Sequence, residues 1–81
     1  MGHIDICLES LRRLIRIGDV NSIQMAENAI KEYWATTPPK ARKSGLLYIQ
    51  QILHDERDAL NRLSRTFADT VDAYIERKLV T

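Results

Sequence analysis

Cys7, His54 and Asp58 are the residues of this 81-residue chain whose types lend themselves to nucleophilic or metal chemistry. A reactive thiolate needs an accessible, electropositive site with a base nearby. Cys7 instead falls among Ile4, Leu8, Leu11, Leu14 and Ile15, a helical apolar line, and is expected to pack as a small hydrophobe. His54 and Asp58 stand four apart, a helical spacing that suits zinc when further ligands join from elsewhere. The other histidine is His3, near the start of the sequence. The expectation is therefore a solvated histidine stacked on its carboxylate neighbour. No glycine-rich phosphate loop, HExxH, CxxC or GxSxG occurs, and three glycines leave little freedom for active-site loops. The sequence predicts no catalytic residue, no metal and no cofactor.

Cations beside aromatic rings are the other chemical signal. Arg12, Arg13 and Arg16 form one group, and Lys40, Arg42 and Lys43 form a second, flanked by Tyr33, Trp34 and Tyr48. Rings that stack bases and cations that neutralise phosphates are what a single-stranded nucleic acid requires. Doubling each patch in a dimer would suit a duplex. These six cations and Trp34 are the candidate nucleic-acid contacts. Against them, 12 basic and 11 acidic side chains give a net charge of +1, whereas a nucleic-acid footprint raises the isoelectric point. The rings also sit where two helices meet, and sealing that corner of a core is the plainer role.

The elements that position these residues are helices. Hydrophobic residues make up 44% and charged residues 28%, the composition of an ordinary globular domain. Ile4, Cys7, Leu8, Leu11, Leu14 and Ile15 recur at threes and fours, predicting a helix over 3–17 closed by Gly18. Ile23, Ala26, Ile30 and Tyr33 predict a second over 20–35, capped by Asp19 or Ser22. Pro38 and Pro39 then mark a basic connector over 36–45, with Ser44 the preferred cap of the next helix. From Leu46 onward, Ile49, Leu53, Leu60, Leu63, Phe67, Val71 and Tyr74 keep helical spacing without a glycine or proline. Asp55, Asp58, Arg62, Arg65, Asp69, Asp72 and Glu76 form a polar line opposite. Together they predict one long amphipathic helix over 45–79, with Glu56 the dissonant residue inside its apolar band.

Length sharpens the expectation. A continuous helix from Ser44 to Leu79 would run about 54 Å, whereas each earlier helix is about 22 Å. Two short helices cannot cover such a stripe, so the alternatives are a break near His54–Glu56 or a partner. With no breaker present, the sequence favours a partner, and a second copy is the simplest one. The expected fold is all-α, a short helical hairpin followed by a long helix, in a homodimeric bundle. Leu53, Leu60, Leu63, Phe67, Val71 and Tyr74 would form its self-association or partner surface. The expected function is that of a non-enzymatic interaction protein, an assembly adaptor or binding regulator, with a small dimeric nucleic-acid-binding regulator as the alternative.

A lone cysteine suits a reducing compartment, and no apolar run approaches the ~20 residues that span a bilayer. The opening residues lack a signal-peptide layout, and the acylation motif that Gly2 suggests wants Ser or Thr where Ile6 stands. The expected setting is cytoplasmic, without membrane contact.

Overall fold

A computed structural model describes residues 3–80 of the chain, apart from the side chain at position 20. Met1, Gly2 and Thr81 lie outside the described residues, Gly2 of the rejected acylation motif among them. Within that range every regular element is helical: α1 (His3–Ile17), α2 (Ile23–Thr36), α3 (Pro39–Glu56) and α4 (Arg62–Leu79). Short 3-10 turns at Val20–Ser22 and Arg57–Ala59 complete the order.

Gly18 ends α1. Its φ of +66° is the left-handed conformation glycine adopts freely, and its N–H donates to the Leu14 carbonyl at 3.1 Å. The Asp19 side chain accepts from Asn21 N at 2.9 Å and so opens the 3-10 turn before α2. Ser22 stands at the N-cap of α2 without a side-chain cap bond.

The connector expected over 36–45 is far shorter. Pro38 is extended (φ −57°, ψ 144°) and α3 opens at Pro39, a first-turn position where a missing N–H costs nothing. Lys40, Ala41, Arg42 and Lys43 are good helix formers and continue from there. Ser44 is consequently not a cap; it lies inside α3 and its hydroxyl donates to the Ala41 carbonyl at 3.2 Å.

The single long helix over 45–79 is not formed. The chain leaves the helical path after the 3-10 turn at Arg57–Ala59, with Leu60 extended (φ −91°, ψ 151°). Asn61 then restarts it, its side-chain oxygen accepting from Ser64 N at 2.9 Å. Asparagine starts a helix well at this position, because its side chain satisfies one of the first free amides of the next one. Arg65 donates back to the carbonyls of Leu60 and Asp58 (3.1 and 3.4 Å), covering groups the break exposes. Arg57 grips Asp69 across the turn through two hydrogen bonds of 2.9 and 3.0 Å. α4 therefore folds back antiparallel on α3, and Gln50 reaches Glu76 at 2.7 Å farther along.

The greatest extent of the molecule is 35 Å and its radius of gyration 11.7 Å. α1 and α4 each pack on all three other helices, while α2 and α3 share little beyond their joining corner. Leu11, Ala26, Ile30, Leu46, Ile49, Phe67 and Ile75 are fully enclosed at the centre. Each large side chain among them contributes roughly 1.5–3 kcal/mol by leaving water. At the corner, the cations of Arg42 on α3 and Lys78 on α4 lie over the Trp34 ring, 5.4 and 5.6 Å from its centre. Among the described residues, no helix is long and apolar enough to cross a membrane.

Candidate functional site

The six residues assigned to a self-association surface divide once the break is in place. Leu53, Phe67 and Val71 are buried in the chain's own core, and Leu60 and Tyr74 pack half-buried against it. Only Leu63 stands outward, 68% exposed. The physical reason is the fold-back of α4, which covers within one chain the stripe that a partner would otherwise have covered. The centre of that stripe on α4 is also shifted: Ser64, Phe67, Ala68, Val71 and Ile75 face inward. Ser64 is admitted because the Gly18 turn packs so closely that a Cβ there would stand 3.1 Å from the Ser64 Oγ.

The candidate nucleic-acid contacts do not come together as one patch. Arg12 is held by Glu56 in an ion pair, Nε to Oε2 at 3.2 Å with Nη2 on Oε1. Glu56, dissonant in the sequence, thus has its partner on α1. Arg42 donates through Nε to the carbonyls of Trp34 and Thr37 at 2.8 and 3.0 Å, closing the end of α2. Trp34 is half-buried, with the Arg42 and Lys78 cations already over its ring. Arg13, Arg16, Lys40 and Lys43 remain exposed. Lys43 lies thirteen residues before Glu56, the partner of Arg12, on α3, about 20 Å at the helical rise. The two basic groups therefore sit toward opposite ends of the molecule.

Cys7 is buried, and its thiol donates to the Ala29 carbonyl at 3.7 Å. Burial, and then the nearby Glu32 carboxylate, push this thiol up to about 11, so it stays protonated at neutral pH. His54 and Asp58 are both exposed. Among the described residues, no three His, Cys, Asp or Glu side chains are grouped to hold a metal ion.

What the sequence patterns did not mark is a groove between α1 and α2, on the side that neither α3 nor α4 covers. Its two contiguous hollows, about 260 and 340 Å³, meet at Ser10, Ala29 and Glu32. Ile6 stands at one end beside Thr36, and Met25 at the other beside Arg13, which shows α1 and α2 running antiparallel. Ile6 and Met25 are 55% and 59% exposed. Small side chains at Ser10 and Ala29 keep the middle shallow enough for a helix to approach. Comparison with protein-family models, with curated proteins and with solved structures gives no match. The one signal available beforehand was that Ile6 and Met25 are large apolar residues lying off their helices' core stripes.

A second hollow of about 340 Å³ lies where the start of α1 meets the α2–α3 corner, bounded by His3, Ile4, Tyr33, Thr37 and Gly45. Tyr33 donates to the Ala41 carbonyl at 3.3 Å. A Cβ on Gly45 would overlap the Tyr33 hydroxyl and lie 2.7 Å from its Cζ, so glycine is what lets the ring reach this bond. Among the described residues, the buried Thr37 hydroxyl has no hydrogen-bond partner.

Proposed function

We propose that this protein is a non-enzymatic helical interaction module that binds a protein partner through the outer face of its α1–α2 hairpin. The observation that carries this reading is the open groove with Ile6 and Met25 exposed at its ends over Ser10 and Ala29. A groove of this kind accepts an amphipathic helix, whose apolar side chains at i, i+3 or i+4 enter it. Arg13 and Glu32 on its rim add charges of opposite sign, which set orientation more than strength. A setting in the cytoplasm, where a lone thiol stays reduced, belongs to the same reading.

The test is a photo-crosslinking amino acid placed in the groove at Ser10 and, separately, on the far surface at Asp72. The expected result in cells is a discrete adduct from position 10 and none from position 72. No adduct from position 10, or the same adducts from both, removes the reading.

Nucleic-acid binding through Arg13, Arg16, Lys40 and Lys43 is the second reading. It is less supported, because Arg12, Arg42 and Trp34 already have partners within the chain. A polarisation titration at two salt concentrations separates the two, since phosphate contacts weaken steeply with salt.

A further inference from the structure

Besides its core stripe, α1 carries a second, narrower line made of Ile6, Ser10, Arg13 and Ile17. At 3.6 residues per turn these four fall within about 60° of one another around the helix. Ile6 and Ile17, its two ends, are 55% and 63% exposed. The steps along the line are four, three and four, the same read in either direction. Such a line meets a copy of itself in register when the copy runs antiparallel. Ile6 then comes level with Ile17 of the partner subunit, and Ser10 with Arg13 of the partner subunit.

The groove supplies the matching charge. Glu32 borders both hollows at the level of Ser10, which is the level that Arg13 of the partner subunit reaches. Among the described residues the ion pairs are Arg12–Glu56 and Arg57–Asp69, so within that range neither Arg13 nor Glu32 has an ion-pair partner. Two-fold symmetry makes every such contact twice.

We propose that a second copy of this chain lays its α1 antiparallel into the α1–α2 groove, so that Arg13 of each chain faces Glu32 of the partner subunit. This rests on the reading of the groove as an interaction surface and names its occupant. The dimer contact is thereby moved from the C-terminal segment, where the sequence suggested it, to the first helix.

Charge exchange tests it, because Arg13 and Glu32 are both exposed and surface substitutions of this kind ordinarily change stability little. The parent protein is expected to sediment with the mass of two chains. Arg13→Glu and Glu32→Arg are each expected to sediment as single chains with unchanged helical circular dichroism. Mixing the two variants is expected to restore the two-chain species, since each mixed pair then joins opposite charges. Direction is read separately by mixing an Ile6→Cys chain with an Ile17→Cys chain, both in a Cys7→Ala background; an antiparallel pair joins the two different chains and joins neither variant to itself. Oxidation of the mixture should give the disulfide-linked mixed pair, while each variant alone stays single, because like positions in an antiparallel pair lie about 16 Å apart along the helix, beyond disulfide reach. A parent that stays a single chain at high concentration overturns the proposal. So does a dimer that survives both charge reversals, or a mixture that fails to reassociate. A single-chain parent that still gives a foreign adduct from position 10 overturns self-pairing and leaves the groove reading standing. A single-chain parent with no such adduct removes both.

Discussion

Arg12 on α1 and Glu56 on α3 are joined side by side, Nε to Oε2 at 3.2 Å and Nη2 to Oε1. The pair sits over Ile15, Leu53 and Leu60 at the end of the bundle where α3 stops. With His3 and Ile4 beside Ala41 and Gly45 at the other end, it shows α3 running parallel to α1, with the break between α3 and α4 immediately beyond. Arg12→Met leaves a half-buried carboxylate without its donor and is expected to cost about 1 kcal/mol. Arg12→Met together with Glu56→Met is expected to cost less than that, since neither charge is left behind. Urea denaturation of the two single variants and the double variant gives the comparison.

Asn61 caps the restart of the helix after the break. Asn61→Ala removes the acceptor for Ser64 N and is expected to lower stability by about 1 kcal/mol. Asn61→Asp keeps the acceptor and should remain within a few tenths of the parent. Thermal unfolding followed at the helical circular-dichroism band distinguishes them.

Gly45 lies inside α3, where alanine would ordinarily favour the helix by up to about 1 kcal/mol. Here the added Cβ collides with the Tyr33 ring, which is itself buried and bonded to Ala41. Gly45→Ala is expected to destabilise by roughly 1–3 kcal/mol, the range for overpacked cores. Combining it with Tyr33→Leu should cost less than the sum of the two single changes, which a double-mutant cycle measures.

Acid should expose the Arg57–Asp69 clasp. The hydrogen bonds from Arg57, and then its charge, hold the Asp69 carboxyl below the ordinary aspartate value of 3.8. The folded chain therefore binds that proton less readily than the unfolded chain. The clasp's contribution is present above pH 3.8 and is lost as the pH falls below it through the folded value. Arg57→Gln is expected to flatten the fall in stability below about pH 4. Urea midpoints measured at several acid pH values would show it; an unchanged slope in Arg57→Gln would count against the pair.

The local features readable from the sequence were those governed by neighbours along the chain. Leu8, Leu11 and Ile15 share a face because three and four residues make about one turn, and they do line the core. Gly18 was readable as a helix end because glycine alone enters the left-handed region without cost, and it does so at +66°. The polar line from Asp55 to Glu76 is exposed throughout. Leu63 and Tyr74 misled because bulk was weighed above position: small Ser64 and Ala68 hold the inner places instead.

By itself, then, the sequence determined that the chain is helical and where most helical faces turn, since spacing and capping act within a few residues. It did not determine where the last helix breaks. Asn61 is compatible with continuing a helix or starting one, and the choice depends on what the segment beyond it can cover. Folding back buries Phe67, Val71 and Ile75 against α1, α2 and α3, far more apolar area than the few helical hydrogen bonds lost at Leu60 are worth. The same fold-back brings Lys78 to Trp34 and Asp69 to Arg57, while Glu56 meets Arg12 across α1, and the outer side of α1 and α2 is left as the uncovered face. Those pairings join residues up to 44 positions apart in the chain, so only the tertiary structure could decide them.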